Sequence, residues 1–207
     1  TILFQPGTYR EKVTVNKPVT IRAANGQPTV ESPDGKGNTF EVTADGVTIE
    51  GFEIKNSVGS GGSFAYNQGV SATGPISDLT IRNNMFRDLG SGTGAKGNSA
   101  PIVIQTKSDV LVESVDIVNN ELENVVGRRN PDSSFPNRYP KGIYITSKPG
   151  GNPAGTIRDV TISGNEIHNI EGPQSAHGVQ LHDQVEDVEI KDNQIYEIRG
   201  DPNDSND

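Results

Sequence analysis

Cysteine is absent from the 207 residues of the chain, which excludes disulfide bonds and thiolate metal sites. No apolar run approaches the length of a transmembrane helix, so the sequence predicts no membrane insertion. Positive charge is scarce, because 18 Lys and Arg stand against 27 Asp and Glu, for a net charge of −9. This balance argues against nucleic acid and anionic membranes as partners. Binding any acidic polymer would require a local basic patch or a bridging cation.

Long helical periodicity is also lacking, and apolar residues make up only 31% of the chain. The apolar residues recur regularly, however, which argues against disorder. The length suits one well-buried domain, which we expect to span residues 1–200. Residues 201–207 (DPNDSND) are predicted to form an acidic C-terminal end or linker. No signal peptide is present and Thr1 opens in mid-strand, so we expect a mature or trimmed chain with a coil or cap upstream.

The sequence does contain a repeated segment, written most clearly as DVTISGNEIHNI at residues 159–170. Each copy alternates apolar and polar residues, turns, and ends in a second short apolar strand. The first apolar residues of the copies are Val19, Val47, Leu79, Val115, Val160 and Val188. By subtraction they are 28, 32, 36, 45 and 28 residues apart, a period typical of stacked supersecondary units.

Asparagine occupies the same corner in four copies of the repeat. These corner residues are Asn84, Asn120, Asn165 and Asn193, with Phe52 as the exception. Because asparagine tolerates left-handed backbone angles and hydrogen-bonds its own turn, we expect stacked corners to form a ladder of amides rather than ligands. A further strand precedes each copy, at residues 40–43, 70–73, 102–105, 143–146 and 179–182.

Each coil therefore consists of strand, loop, strand, asparagine corner and strand, and stacked coils would bury a column of Val, Ile and Leu. This pattern covers residues 8–200 and resembles the right-handed parallel β-helix family, the fold of pectate lyases, other polysaccharide lyases and many surface proteins. The resemblance implies an all-β solenoid of about six to seven coils, at an extracellular or cell-surface location. It also implies, for an enzyme of this kind, a Lys or Arg base and often calcium.

The strands that precede each copy, at residues 40–43 to 179–182, place their outward residues in columns. Basic, aromatic and polar groups concentrate in the last two of these strands. These groups are Lys141, Tyr144, His177, Gln180 and His182. Strand spacing predicts that they lie within about 5–10 Å of one another. The longest insertion, residues 127–140, directly precedes Lys141 and adds Arg128, Arg129 and Arg138 with Phe135 and Tyr139. Such long loops are usually functional or disordered, and its prolines and aromatics favour order.

This grouping suits an acidic polysaccharide, because arginine pairs with uronate carboxylates and aromatic rings stack on sugars. β-Elimination needs a neutralised carboxylate and a base for the C5 proton. Lys141 or His177 would be the base, and Tyr144 the proton donor. Arg128 or Arg138 would neutralise the carboxylate. The substrate-binding candidates are Arg128, Arg129, Arg138, Tyr139 and Gln180, and His182 is a further catalytic candidate.

Two other interpretations stay open at this point. Outward Lys, Tyr, His and Gln are also common on a solvated sheet. The solenoid could equally be a non-catalytic cell-surface, adhesin or self-assembling module that associates through its coil ends. Paired-carboxylate hydrolysis is disfavoured, because the columns carry only Glu41, with Asp183 just past its strand.

The remaining polar columns are assigned to the surface and to turns. His168 shares a column with Arg87, Glu123 and Tyr196 and is predicted to lie on the surface. The residues Asp78, Asp159 and Asp187 recur before the third strand and are predicted to form Asx-type turns. Calcium held by such acidic groups is the one cofactor that the sequence leaves open.

Overall fold

A computed structural model of the chain describes residues 1–34, 37–55, 67–90, 99–106, 109–127, 139–147, 155–173 and 175–200. The strands belong to three parallel sheets. Sheet A contains β1 (Ile2–Phe4), β4 (Thr20–Ala23), β7 (Thr48–Glu50), β10 (Ile76–Arg82), β13 (Leu111–Val118), β16 (Thr156–Ser163) and β19 (Val188–Lys191). Sheet B contains β2 (Thr8–Arg10), β5 (Thr29–Glu31), β8 (Glu53–Lys55), β11 (Met85–Arg87), β14 (Glu121–Val126), β17 (Glu166–Glu171) and β20 (Gln194–Arg199). Sheet C contains β3 (Val13–Val15), β6 (Gly37–Val42), β9 (Asn67–Thr73), β12 (Ser99–Gln105), β15 (Lys141–Thr146) and β18 (His177–His182).

The chain visits the three sheets in turn, so that each strand pairs with its equivalents in the coils on either side. The fold is a right-handed parallel β-helix of about seven coils, as the repeats predict. The register confirms the repeat steps of 28, 32, 36, 45 and 28 residues. In sheet A the paired column consists of Ile21, Ile49, Ile81, Ile117, Ile162 and Ile190.

The core is the stack of inward-facing side chains inside the coils. Side chains alternate inward and outward along the strands, except at the left-handed residues Asp78, Ser114 and Asp159 of sheet A. Such inward residues as Ile54, Ile104 and Ile162 are fully buried. Burying one such side chain contributes about 2 kcal/mol. At the corner where asparagine is missing, Phe52 fills the interior and lies 5.6 Å from the ring of Phe40.

The predicted asparagine ladder is present and buried. The Asn120 side-chain oxygen accepts hydrogen bonds from the backbone and side-chain nitrogens of Asn84, both at 3.1 Å. Its own Nδ2 donates to Asn165 Oδ1 at 3.0 Å and to the Ile81 carbonyl at 2.9 Å. Asn165 makes the same contacts with Asn193. These side chains therefore hold successive coils together.

Left-handed backbone occurs one residue before each corner asparagine rather than at it, which differs from the expectation. The residues concerned are Asn83, Asn119, Gly164 and Asp192, with φ of 55°, 54°, 64° and 55°. The physical reason is that the asparagine itself must direct its amide into the ladder. Asp78 and Asp159, which were predicted to form turns, lie inside β10 and β16, and Asp187 directly precedes β19. All three have left-handed φ, of 56°, 54° and 50°.

Among the residues that the structure describes, no helix has the length and apolar character needed to cross a membrane. Residues 128–138 of the Arg-rich insertion and the acidic segment 201–207 lie outside the described residues.

Candidate functional site

Two of the candidate side chains lie at the N-terminal ends of neighbouring strands of sheet C, and each is followed by a glycine. Lys141 begins β15 and pairs in register with His177, which begins β18. A Cβ on Gly142 would come within 2.7 Å of Ile167 Cγ2, and one on Gly178 within 2.5 Å of Ile195 Cγ2. Only glycine fits at these two positions, where the backbone of sheet C lies close to the core side chains of sheet B.

Lys141 occupies a desolvated position for a charged side chain. The residue is only 8% exposed. Its Nζ donates a hydrogen bond to the carbonyl oxygen of Tyr139 at 2.8 Å and lies 4.8 Å from the ring centroid of Tyr144. Burial lowers the pKa of Lys141 from 10.5 to about 8. An amine with this pKa is neutral in a large fraction of molecules under mildly alkaline conditions, so it can accept a proton.

Tyr144 and Gln180 extend the site along the two strands. They are paired in register and both are half-buried, as is His177. The Tyr144 ring covers the ammonium group of Lys141 by a cation–π contact. Lys141, Tyr144, His177 and Gln180 therefore form one group, which we call the Lys141 cluster.

His182 does not belong to the Lys141 cluster. It ends β18, five positions from His177, which corresponds to roughly 16 Å of extended strand. The predicted close approach of all five side chains therefore does not extend to His182. Its exposed ring lies with Nδ1 2.6 Å from Asp183 Oδ2. This His–Asp pair is a separate exposed group at the other end of the sheet C strands.

Tyr139 is the one candidate residue of the long insertion that falls within the described residues. Its side chain is 38% exposed and its ring centroid lies 5.9 Å from the Lys141 Nζ. Its carbonyl oxygen is the hydrogen-bond acceptor of the same amine. Arg128, Arg129 and Arg138 lie outside the described residues, and their role stays a prediction.

The outward face of sheet C next to the Lys141 cluster is less solvated than expected. In β9 and β12 the outward residues Gln68, Ser71, Ala100 and Val103 are 9%, 1%, 6% and 1% exposed. Glu41 in β6, by contrast, is exposed. This face of sheet C is therefore shielded from water in the two coils that precede Lys141.

A second polar group, on sheet B, was not recognised as a site from the sequence. Oxygen or nitrogen atoms of Glu121, Glu123 and His168 lie within 4.8 Å of one another. The surface prediction for His168 is wrong, since the residue is only 8% exposed. The reason is that the ring of Tyr196 in the next coil stacks on it, with centroids 4.9 Å apart and planes inclined by 3°. The aligned column of Glu123, His168 and Tyr196 was the available signal.

No protein-family model, curated protein or solved structure matches this chain. Its chemistry is therefore inferred from its own side chains and their geometry.

Proposed function

We propose that the chain is an extracellular or cell-surface β-helix protein of pectate-lyase-like character that cleaves an acidic polysaccharide by β-elimination. The observation that supports this most strongly is the environment of Lys141. A buried lysine whose pKa is lowered to about 8 is suited to act as a base. His177, the other candidate base, lies beside it in register.

The proposed reaction uses the Lys141 cluster in two roles. The neutral amine of Lys141 takes the C5 proton of a uronate residue, and its nitrogen becomes an ammonium. The electron pair of the C–H bond forms the C4–C5 double bond while the C4–O bond breaks. The hydroxyl group of Tyr144 donates a proton to the departing glycosidic oxygen, and solvent returns both groups to their starting states.

An acidic polymer is the substrate class because the C5 proton becomes acidic only beside a carboxylate whose charge is neutralised. Arg128 or Arg138 is proposed for that neutralisation, with bidentate pairing as the physical basis. Arg129 and Gln180 are proposed to bind the sugar, and the exposed ring of Tyr139 to stack on it. A calcium ion between the polymer and this acidic chain would serve the same electrostatic purpose.

The test is ultraviolet absorbance of the unsaturated uronate product on a panel of pectate, alginate and glycosaminoglycans, with and without calcium. We expect turnover of one polymer class. Lys141→Met should abolish it, while the matched variant Lys17→Met, at an exposed lysine of the first coil, should retain it. Absence of product from folded protein on every polymer would refute the proposed reaction.

A second candidate function is a non-catalytic module that self-associates through its coil ends. The supporting observation is that Leu181, Ile190 and Ile195, which continue inward-facing columns, are 38%, 47% and 44% exposed in the last described coil. Stacking a second copy there would bury them. Light scattering tests this candidate. If the chain self-associates, its average mass should grow with concentration, and Ile190→Lys should reduce that growth. A wild-type mass that stays at the monomer value at every concentration would contradict this function.

A further inference from the structure

We propose that Glu121, Glu123 and His168 bind a divalent first-row transition-metal ion on sheet B. Each residue offers one donor atom, and these atoms lie within 4.8 Å of one another. Glu121 and Glu123 come from β14, and His168 comes from its neighbour β17, where it pairs in register with Glu123. The site is independent of the proposed lyase reaction, since the Lys141 cluster belongs to sheet C.

The buried imidazole of His168 is oriented toward the two carboxylates. Its Nε2 lies 3.7 Å from Glu121 Oε1, which is beyond hydrogen-bond distance. The other ring nitrogen, Nδ1, lies 3.0 Å from Nδ2 of Asn169. Metal binding at Nε2 requires the Asn169 amide turned by 180°, so that Nδ1–H donates to its oxygen and Nε2 keeps its lone pair. Within the described part of the chain, Nε2 makes no hydrogen bond. A histidine held at Nδ1 by an amide and stacked on Tyr196 has the fixed ring of a metal ligand.

In the described ranges the carboxylate of Glu123 lacks a neutralising partner, and that of Glu121 has only the His168 imidazole, 3.7 Å away. Glu121 and Glu123 are two residues apart on one face of β14, so their like charges repel. The side-chain carboxylate of Glu123 makes no hydrogen bond or ion pair with any described residue. Arg87 pairs with Glu123 in strand register, yet its guanidinium contacts Glu53 instead and its Nε is buried without a partner. A bound cation would supply the missing positive charge.

The donor set indicates the kind of cation. Two carboxylate oxygens and one imidazole nitrogen suit Zn²⁺, Mn²⁺ or a similar ion better than calcium, which prefers oxygen donors alone. Bonds of about 2.1 Å place ligand atoms roughly 3–3.5 Å apart. Small rotamer changes of the two flexible glutamates close the remaining gap, and water completes the coordination. The ion would link β14 to β17 and so connect two neighbouring coils.

The experiment is a calorimetric titration of the metal-stripped full chain with Zn²⁺. We expect one ion per chain, with Glu123→Gln and His168→Gln each weakening the Kd by at least about tenfold. Glu41→Gln and His182→Gln are the matched controls, because each removes a carboxylate or an imidazole from sheet C. Both controls should leave the Kd unchanged. Co²⁺ as a second probe should give an absorption spectrum that is lost in His168→Gln.

The opposite pattern overturns the proposal. If His182→Gln removes binding and His168→Gln does not, the ion binds the exposed His182 and Asp183 pair. Binding that no variant weakens, or that needs millimolar metal, is adventitious. Circular dichroism verifies that each variant folds. Should His168→Gln fail to fold, Glu121→Gln and Glu123→Gln decide the result, since neither removes the ring that stacks on Tyr196.

Discussion

The amine of Lys141 lies 4.8 Å from the ring centroid of Tyr144 and is hydrogen-bonded only to a backbone carbonyl among the described residues. An aromatic face and one carbonyl oxygen are weak compensation for the water that the ammonium group loses on burial. The position is therefore costly when charged and suited to chemistry when neutral. This arrangement leads to the first prediction.

Lys141→Met is predicted to stabilise the protein at neutral pH. The folded pKa of Lys141 is about 8 against an unfolded value near 10.5, so below pH 8 the folded state carries the full cost of a buried charge. Between those two pKa values the unfolded state binds more protons, and the unfolding free energy of the wild type rises with pH. At pH 7 the methionine variant should be more stable by roughly 1–3 kcal/mol, the upper value following from about 1.4 kcal/mol per pKa unit.

Chemical denaturation at several pH values measures this difference. The advantage of Lys141→Met should shrink as the pH rises from about 8 toward 10.5. Lys17→Met, at an exposed lysine, should show no such trend. A stability difference that is the same at pH 7 and at pH 10 would mean that Lys141 titrates normally.

The pH dependence of polymer cleavage is the second prediction. If Lys141 is the base, kcat/KM should rise with pH and level off above about 8, because only the neutral amine accepts the C5 proton.

The role of Tyr144 is tested by Tyr144→Phe, which keeps the ring over the amine and removes the hydroxyl group. We expect it to lower kcat by about 10²–10⁴-fold with the fold intact. Tyr9→Phe, in the first coils, is the control, and an unchanged kcat in Tyr144→Phe would exclude the hydroxyl as proton donor.

The asparagine ladder gives the third prediction. Asn120→Ala removes four buried hydrogen bonds and leaves the backbone nitrogen of Asn84 and the Ile81 carbonyl without these partners. The expected loss of unfolding free energy is roughly 3–5 kcal/mol. Asn193→Ala, at the half-buried end of the ladder, should cost less because water can replace the lost bonds. Equal losses in urea denaturation would contradict a ladder whose strength depends on burial.

The fold and the ladder could be predicted from sequence because they depend on periodicity. Alternation of two fixes which residues face inward, and the spacing of Val19, Val47 and Leu79 fixes the register of the coils. The burial of outward residues obeys no such period. His168 is buried because the Tyr196 ring of the following coil stacks on it. That stacking depends on the side-chain rotamer of Tyr196, which a repeat pattern does not predict.

The candidate site was predictable only in part for the same reason. Register places Lys141 beside His177 and Tyr144 beside Gln180, as the aligned columns indicate. The columns also suggest proximity for His182, but distance along the strand separates it from Lys141. The lowered pKa of Lys141 needs the three-dimensional burial of its amine, which depends on more than one coil.

The fourth prediction concerns Tyr196, whose hydroxyl group donates a 2.6 Å hydrogen bond to Glu166 Oε1. This bond, followed by desolvation and the negative charges of Glu166, Glu197 and Glu121, raises the pKa of Tyr196 to about 12. At about pH 11, Tyr196 should therefore still be mostly protonated. The tyrosinate absorbance of the wild type should then exceed that of Tyr196→Phe by close to zero. Glu166→Gln removes the charged acceptor and should lower the pKa of Tyr196 toward the ordinary value of 10.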